Sequence, residues 1–436
     1  MKTPIFDFVK EYSETGTTRF HMPGHKGASV IGVEKYDITE IAGADVLYSA
    51  DGIIHESENN LSSLYGTAHS FYSTEGSTLA IKAMLALVSE REGEDRPMIL
   101  AARNVHAAFV RAAALLDLDV EFIYPDTDSH LCECPITPAA VMAAIDGASK
   151  KPRAVYLTSP DYLGNILDIK AIAAVCRERD LPLLVDNAHG AYLKFLSEDL
   201  HPITLGAAMC ADSAHKTLPV LTGGAYLHIS PDYREYVDKA RGALSLFAST
   251  SPSYLTLSSL DLCNKRIADG YATEIALLAK RVDEIKTTIR SLGISVCDSE
   301  PLKIVIPVGE SLADHLRSHQ IEPEFSDRDY TVLMLSVANT EYDFDRLISA
   351  FYDFNYATAA PSYMSVKPHK AEMTIRRAVL SPCETVSVHE AEGRICASPT
   401  VSCPPAVPIV ISGERITAED VKLFEYYGIS SVSVVK

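Results

Sequence analysis

The sequence predicts an α/β protein whose main domain is a largely parallel sheet covered by helices on both faces. The chain has 436 residues, of which 47% are apolar and 22% charged, as in an ordinary soluble globular protein with a large core. Between residues 98 and 187, short apolar runs typical of buried strands alternate with helix-like runs. These strand-like runs end in polar residues that can carry chemistry, and in a parallel sheet such ends share one edge.

The elements of this alternation can be assigned in chain order. The strand-like runs cover residues 98–102, 120–124, 153–158 and 182–187, and the helix-like runs cover residues 105–116, 137–147 and 168–179. Before them, helices are predicted over residues 3–10 and 79–87, whereas residues 19–27 and the stretch from Asp45 to Gly66 are predicted to be loops. The predicted edge therefore collects residues 103–106, 159–162 and 186–190.

Four parts are predicted along the chain: an N-terminal segment (1–40), a large domain (41–265), linking helices with a small α/β domain (266–360) and a C-terminal domain (361–436). The linking helices are predicted from the periodic stretch 254–292. Strand-like 303–308 and 331–337, with helix-like 311–319 and 342–351, make up the small domain. A final strand is predicted over 430–435.

Composition excludes several classes of function. A net charge of −19 argues against non-specific nucleic-acid binding and is compatible with a cationic substrate. Nine cysteines form no paired framework, so free thiols in a reducing cytosol are predicted, and no signal segment or membrane span is found. His21 and His25 lack a third ligand at a useful spacing, and no metal site is predicted.

Three features of the predicted edge together indicate pyridoxal 5'-phosphate chemistry. Lys216, beside Ser213 and His215, can bond covalently to the cofactor; Asp186, at the end of an apolar strand, can keep the pyridine nitrogen protonated. The Ser/Thr/Gly-rich helix start at 73–78 can bind a phosphate through its N–H groups, although these residues could equally be ordinary caps.

The chain resembles the fold-type I ornithine/lysine/arginine decarboxylase family in its shorter form, without the receiver-like N-terminal domain. The matching motifs run in the family's order along nearly the whole chain: Phe20–Lys26, Arg103–His106, Ser159–Gly164, Asp186–Gly190, Ser213–Leu218, Ser249–Tyr254 and Cys403–Pro408. Phe71-Tyr72 replace the usual Asn-Gly, Glu75 lies inside the phosphate loop, Asn187 replaces a usual acid, and Cys403 and Ala406 replace Tyr and Gly.

The resemblance implies a role for each matching residue. Lys216 would carry the cofactor, Asp186 would pair with the ring nitrogen, and His106 and Ala188 would pack on the two ring faces, with His189 beside them. The phosphate would be held by Ser73, Thr74, Gly76, Ser213 and His215, and Thr250 would reach the phosphate of a neighbouring subunit. A homodimer or larger homo-oligomer with shared active sites is therefore expected.

The implied reaction is decarboxylation of a basic amino acid in polyamine metabolism, with arginine favoured and lysine or ornithine as alternatives. An aminotransferase, with Arg376, Arg377 or Arg394 holding the substrate carboxylate, is the nearest rival. A catalytically silent homologue is the second rival, although it would not need Lys216 and Asp186. The proton donor to the α-carbon (Lys216 or His215) stays open. The acid that binds the cationic side chain of the substrate also stays open. Four acids lie in loops near the matching motifs, but each is expected to be a solvated loop residue: Asp45, Asp51, Glu75 and Asp161.

Overall fold

A computed structural model describes residues 1–90, 95–355, 364–398 and 406–436. Its helices are α1 (Pro4–Glu14), α2 (Ile53–Tyr65), α3 (Gly76–Leu87), α4 (Ala107–Leu116), α5 (Pro138–Gly147), α6 (Ile169–Glu178), α7 (Ala214–Thr217), α8 (Val237–Ser245), α9 (Tyr254–Arg266), α10 (Ala272–Ser291), α11 (Glu310–Ser318), α12 (Glu341–Tyr352), α13 (Ile375–Leu380) and α14 (Ala418–Tyr426). Its strands are β1 (His69–Ser73), β2 (Met98–Ala102), β3 (Asp119–Ile123), β4 (Ala154–Thr158), β5 (Leu183–Asp186), β6 (Met209–Asp212), β7 (Ala225–Ile229), β8 (Lys303–Ile306), β9 (Phe325–Ser326), β10 (Thr331–Met334), β11 (Cys383–Ser387) and β12 (Ser431–Val435).

The chain folds into two compact units. The first comprises Met1–Val88 and Leu183–Ala276, and the second comprises Ser89–Pro182 and Leu277–Lys436. The four parts predicted from the sequence divide the chain more finely than these units and stay a prediction.

The first unit contains four strands in the order β1-β7-β6-β5. Strands β5 and β6 are parallel, whereas β7 is antiparallel to both β6 and β1. All residues of these strands are buried, which explains why β5 reads as an apolar run rather than as an alternating pattern. Helix α3 packs on β6 and β7, and β5 pairs with β6. The same packed elements therefore position the start of α3 and the ends of β5 and β6.

The second unit contains three separate groups of strands. Strands β4, β2 and β3 lie side by side and are parallel. Antiparallel pairing joins β8, β10 and β9 in a second sheet and β11 with β12 in a third. Helices α5 and α6 begin as the sequence predicts, because Thr137 and Asp168 accept capping hydrogen bonds from the N–H groups of Ala140 and Ala171.

The predicted α/β class and its strand–helix alternation are confirmed. Two predictions for the first unit need correction. Residues 53–65 form helix α2 rather than a loop, because Ile54, Leu61 and Tyr65 lie on one face and are buried. The phosphate-loop motif begins on strand β1, which pairs with β7 and was not predicted. Within the described residues, no helix is both long and apolar enough to cross a membrane.

Candidate active site

Lys216 lies on a single helical turn directly after strand β6. The strand ends at Asp212, Ser213 follows it, and the turn is α7. The lysine side chain is half-buried, and its Nζ lies 3.0 Å from Nε2 of His189. At this distance the amine can donate a hydrogen bond to the ring nitrogen. The structure therefore brings together the predicted cofactor lysine and one of the predicted neighbouring histidines.

Asp186 is the last residue of β5 and is only 2% exposed. Its Oδ1 accepts a 3.3 Å hydrogen bond from the N–H of Ala188, which is half-buried. An ionised carboxylate in such a place costs several kcal/mol unless a cation or hydrogen-bond donors compensate it. A protonated ring nitrogen would be such a cation, so the burial of Asp186 suits the role predicted for it.

The phosphate-type loop joins β1 to α3. Inside it, the Ser73 hydroxyl donates to the carbonyl of Gly76 at 2.9 Å and accepts from the N–H of Glu75 at 3.1 Å. The N–H of Gly76 donates to the carbonyl of Gly223 at 2.8 Å. These groups of Ser73 and Gly76 are thus used to shape the loop. Thr74, which is half-buried, lies between them.

Gly223 is required at the start of β7 by a close approach to this loop. Its φ is +95°, and a Cβ placed on it would lie 2.7 Å from the carbonyl oxygen of Thr74. A side chain would therefore meet both a strained backbone conformation and a backbone clash. Glycine lets the turn before β7 lie directly against the phosphate-type loop.

A pair of hydroxyl groups links the lysine turn to the same loop. The Ser213 hydroxyl donates to the hydroxyl of Ser77 at 2.7 Å, and Ser213 is buried. Ser77 lies in the first turn of α3, where helix N–H groups and the helix dipole favour an anion. His215 is fixed nearby because its Nδ1 donates to the carbonyl of Gly224 at 2.9 Å. Ser77 was not among the predicted site residues, although the Ser/Thr-rich helix start could have suggested it.

Glu75 turns its carboxylate toward another loop. Its Oε1 accepts a 2.7 Å hydrogen bond from the N–H of Ser249. The next residue, Thr250, is exposed, as is Ser249. The carboxylate is therefore bound to the chain itself, and it holds the loop that was predicted to reach a neighbouring subunit.

His106 belongs to the second unit, where it caps helix α4. Its Nδ1 accepts a 3.0 Å hydrogen bond from the N–H of Ala108, so the neutral ring carries its proton on Nε2. Next to it, the guanidinium of Arg103 donates to the carbonyls of Pro408 and Ile409 at 2.8 and 2.7 Å. Residues 403–405 of the C-terminal motif lie outside the described residues.

Two of the four candidate substrate-binding acids are buried, so the expectation that they are solvated is wrong for them. Asp45 is 6% exposed and accepts hydrogen bonds from the N–H groups of Val46, Gly52 and Ile54 at 2.9 to 3.0 Å. Asp161 is 4% exposed, and burial raises its pKa from 3.8 to about 6. Both hold local backbone structure, whereas Asp51 is exposed.

The arginines considered for an aminotransferase have partners in the second unit. Arg376 donates to the carbonyl of Leu115 at 3.0 Å. Arg394 forms an ion pair with Glu384 at 2.8 Å and donates to the carbonyl of Val435 at 2.9 Å. Arg377 is exposed. Two of the three side chains thus have structural contacts, which weakens the case for a substrate clamp.

Comparison with protein families gives two matches along the chain. The family model described as Orn/Lys/Arg decarboxylase, major domain, matches residues 3–276. The model described as Orn/Lys/Arg decarboxylase, C-terminal domain, matches residues 354–432. The chain is 31% identical to an arginine decarboxylase of Halalkalibacterium halodurans over 95% of this chain and 91% of that protein. It is 28% identical to an arginine decarboxylase of Bacillus subtilis over 96% of this chain and 92% of that protein.

Solved structures share the fold at lower identity. The lysine decarboxylase LdcF of Francisella novicida aligns with a TM-score of 0.81 and 18% identity, over 100% of this chain and 81% of that one. The constitutive lysine decarboxylase of E. coli aligns with a TM-score of 0.81 and 16% identity, over 100% of this chain and 82% of that one. These neighbours identify the fold as that of the fold-type I decarboxylases.

Proposed function

Because this chain belongs to the Orn/Lys/Arg decarboxylase family, whose members use pyridoxal 5'-phosphate, we propose that it converts arginine to agmatine and carbon dioxide. The chain is a pyridoxal-phosphate-dependent decarboxylase of basic amino acids. The choice of arginine is supported by relatives named arginine decarboxylase that align over almost the whole chain. Lysine and ornithine are the alternatives that the test must separate.

The observation that carries the proposed chemistry is the contact of Lys216 with His189, which follows the buried Asp186 by three residues. The residues of the first unit fit the cofactor. Lys216 offers a half-buried amine, Asp186 a carboxylate that a cationic ring nitrogen would compensate, and the linked hydroxyls of Ser77 and Ser213 flank a helix start suited to a phosphate. When bound, pyridoxal phosphate supplies a ring that accepts the electron pair left by the departing carbon dioxide.

The residues of the protein would bind and orient the cofactor and return a proton to the substrate. Asp186 would keep a proton on the ring nitrogen, and Ala188 would lie beside the ring. Lys216 would hold the cofactor through Nζ, and His189, 3.0 Å from that nitrogen, could exchange a proton with it. His215 uses Nδ1 as a donor to the carbonyl of Gly224. The proton that returns to the α-carbon would come from Lys216 or His215. The stacking role of His106 stays a prediction from the family resemblance, and so do the phosphate contacts of Ser73, Thr74, Gly76, Ser213, His215 and Thr250.

We also propose that the working form is a homodimer, in the cytosol. Thr250 is exposed, and the first unit exposes several large apolar side chains: Phe20 (92%), Met22 (66%), Val30 (78%), Ile31 (81%) and Leu246 (71%). Exposed apolar side chains of this size are expected where a second copy packs, if they form one continuous patch. Light scattering coupled to gel filtration tests the dimer, and a monomeric mass for active enzyme would contradict it.

The decisive assay offers arginine, lysine and ornithine separately to the cofactor-loaded enzyme. Carbon dioxide and the amines agmatine, cadaverine and putrescine are measured, with the Lys216→Ala variant as the matched inactive control. We expect agmatine and carbon dioxide in equal amounts, and a kcat/KM for arginine above that for the other two substrates. Cadaverine or putrescine as main product would correct the substrate alone. Formation of a keto acid without carbon dioxide would show that the enzyme is an aminotransferase. Absence of turnover by the cofactor-loaded protein would favour a catalytically silent homologue.

A further inference from the structure

A fully buried group of metal-binding side chains lies on one face of the neighbouring strands β6 and β7. Cys210 and Asp212 are on one face of β6, because one residue separates them. His228 on β7 lies directly opposite Cys210 in the antiparallel register, and His201 comes from the segment before β6. All four residues are 0% exposed. The sequence predicted no metal site, since these residues stand in no recognisable spacing.

We infer that His201, Cys210 and Asp212, whose ligand atoms lie within 4.8 Å of one another, form a buried zinc site, with His228 beside Asp212 as the fourth ligand. They offer one sulfur, two nitrogens and one carboxylate, which is a donor set that Zn²⁺ prefers. Nε2 of His201 and Nε2 of His228 lie 3.0 and 3.4 Å from Oδ2 of Asp212. Sγ of Cys210 lies 3.8 Å from Nε2 of His201 and 3.6 Å from Oδ1 of Asp212. Ligands of a tetrahedral zinc ion, with bonds of about 2.0 to 2.3 Å, are about 3.3 to 3.6 Å apart.

Outer contacts hold two of the ligands in a suitable orientation. Nδ1 of His228 lies 2.7 Å from the Ser70 hydroxyl, which lies 2.7 Å from the Thr67 hydroxyl. Ser70 can therefore accept a hydrogen bond from Nδ1–H of His228 and donate one to Thr67, which leaves the lone pair of Nε2 facing Asp212. The Asn187 amide donates to Oδ1 of Asp212 at 2.8 Å. Partners of this kind are typical of zinc ligands, whose tautomer and orientation they determine.

Charge gives a second reason for a cation. A carboxylate with no exposed surface is costly to bury without compensation. His201 and Asn187 lie within hydrogen-bonding distance of the Asp212 carboxylate, at 3.0 and 2.8 Å, whereas the buried Nε2 of His228, 3.4 Å away, has no hydrogen-bond partner among the described residues. One Zn²⁺ with a Cys210 thiolate and the Asp212 carboxylate would make a neutral centre, which suits a dry interior.

The zinc site is separate from the cofactor residues. In the β5–β6 register Asp186 pairs with Ala211, so its side chain lies on the sheet face opposite to Cys210 and Asp212. The ion would tie the end of β6 to β7 directly, and to the end of β5 through Asn187. Its expected role is therefore structural: it stiffens the two strand ends that carry Asp186 and Lys216.

The test is the metal content of the holoenzyme, purified without a metal-affinity column. We expect about one zinc per chain by mass spectrometry, retained through dialysis against EDTA because the ligands are buried, and released when guanidinium unfolds the protein. X-ray absorption at the zinc edge should show one sulfur neighbour at about 2.3 Å and nitrogen or oxygen neighbours at about 2.0 Å. The Cys210→Ser and His228→Gln variants should lose most of the zinc.

The matched control is Cys176→Ser, which changes a buried cysteine of the second unit and should retain the full zinc content. Less than about one tenth of a transition-metal ion per chain, both as purified and after refolding with zinc, would overturn the inference and leave a hydrogen-bonded cluster without an ion. A full zinc content in both ligand variants would overturn it too, because the ion would then lie elsewhere. If a variant does not fold, the wild-type zinc content and its sulfur neighbour still decide.

Discussion

Asp161 should make the stability of this protein depend on pH between about 4 and 7. Its carboxylate accepts hydrogen bonds from the N–H and the side-chain amide of Asn165 at 3.0 and 2.8 Å. The buried Lys303 donates to the main-chain carbonyl of Asp161 at 3.0 Å. Burial is the dominant influence and raises the pKa of Asp161 from 3.8 to about 6, against the opposing effects of Asn165 and Lys303. The folded protein therefore binds a proton here more readily than the unfolded chain does.

This shift has a definite sign and size. A pKa raised from 3.8 to about 6 corresponds to about 3 kcal/mol, at about 1.36 kcal/mol per unit. That stabilisation is complete below the unfolded pKa and disappears as pH rises through the folded one. From the linkage between proton binding and folding, protonation of Asp161 contributes about 1.4 kcal/mol to the free energy of unfolding at pH 5 and almost nothing at pH 7.5. The Asp161→Asn variant cannot titrate, and it leaves one donor of Asn165 without an acceptor, at a pH-independent cost of about 1 to 3 kcal/mol.

The assay is urea-induced unfolding of wild type and Asp161→Asn at pH 5 and pH 7.5. Relative to wild type, the variant should gain about 1.4 kcal/mol in the free energy of unfolding between the two pH values. Asp168→Asn is the control, because Asp168 is an exposed helix cap in the same unit and asparagine caps equally well. A relative gain below about 0.5 kcal/mol for Asp161→Asn would refute the argument from burial.

Three further predictions concern the first unit. Lys216→Ala should lower kcat by about a thousandfold or more and abolish the visible absorption of bound cofactor, because the covalent attachment is lost; an unchanged spectrum would identify another lysine. Asp186→Ala should weaken cofactor binding by about 3 to 5 kcal/mol, measured by titration of the apoenzyme, because it removes the partner of a buried cation; unchanged affinity would contradict the pairing. Gly223→Ala should destabilise the protein by about 1 to 3 kcal/mol in thermal unfolding and weaken cofactor binding, since its Cβ would meet the carbonyl of Thr74 at 2.7 Å; Gly242→Ala, with open space at that position, is the control.

Much of the fold could be predicted from the sequence because buried strands and capped helices have local signals. Thr137 and Asp168 mark the starts of α5 and α6, and the apolar run before Asn187 marks β5. Helix α2 was missed because Ser57, Glu58 and Ser62 lie on its buried face, so its polar residues resemble a loop. Glu58 can be buried there because it pairs with His69 and with Arg241, which lies 183 residues further along the chain.

The candidate site shows the same division between local and distant signals. Lys216, Asp186 and the helix start at Gly76 could be found because each lies in a recognisable motif, and Asp186 also ends an apolar strand. The contact of Lys216 with His189 and that of Ser213 with Ser77 depend on the pairing of strands, which the sequence does not state. The direction of the Glu75 carboxylate depends on Ser249, 174 residues further along the chain.

Asn187, where the family usually has an acid, can be explained by its position next to the buried Asp212. Side chains alternate between the two faces of a strand, so Asp186 faces one side of the sheet and Asn187 faces the side of Asp212. A carboxylate at position 187 would lie within hydrogen-bonding distance of the buried Asp212, and two buried anions at that distance repel strongly. The asparagine amide instead donates a hydrogen bond. Asp212 and Asn187 are therefore expected to be coupled: Asn187→Asp should be strongly destabilising alone and substantially rescued by Asp212→Asn in a double-mutant cycle, whereas additive effects would show that the two residues act independently.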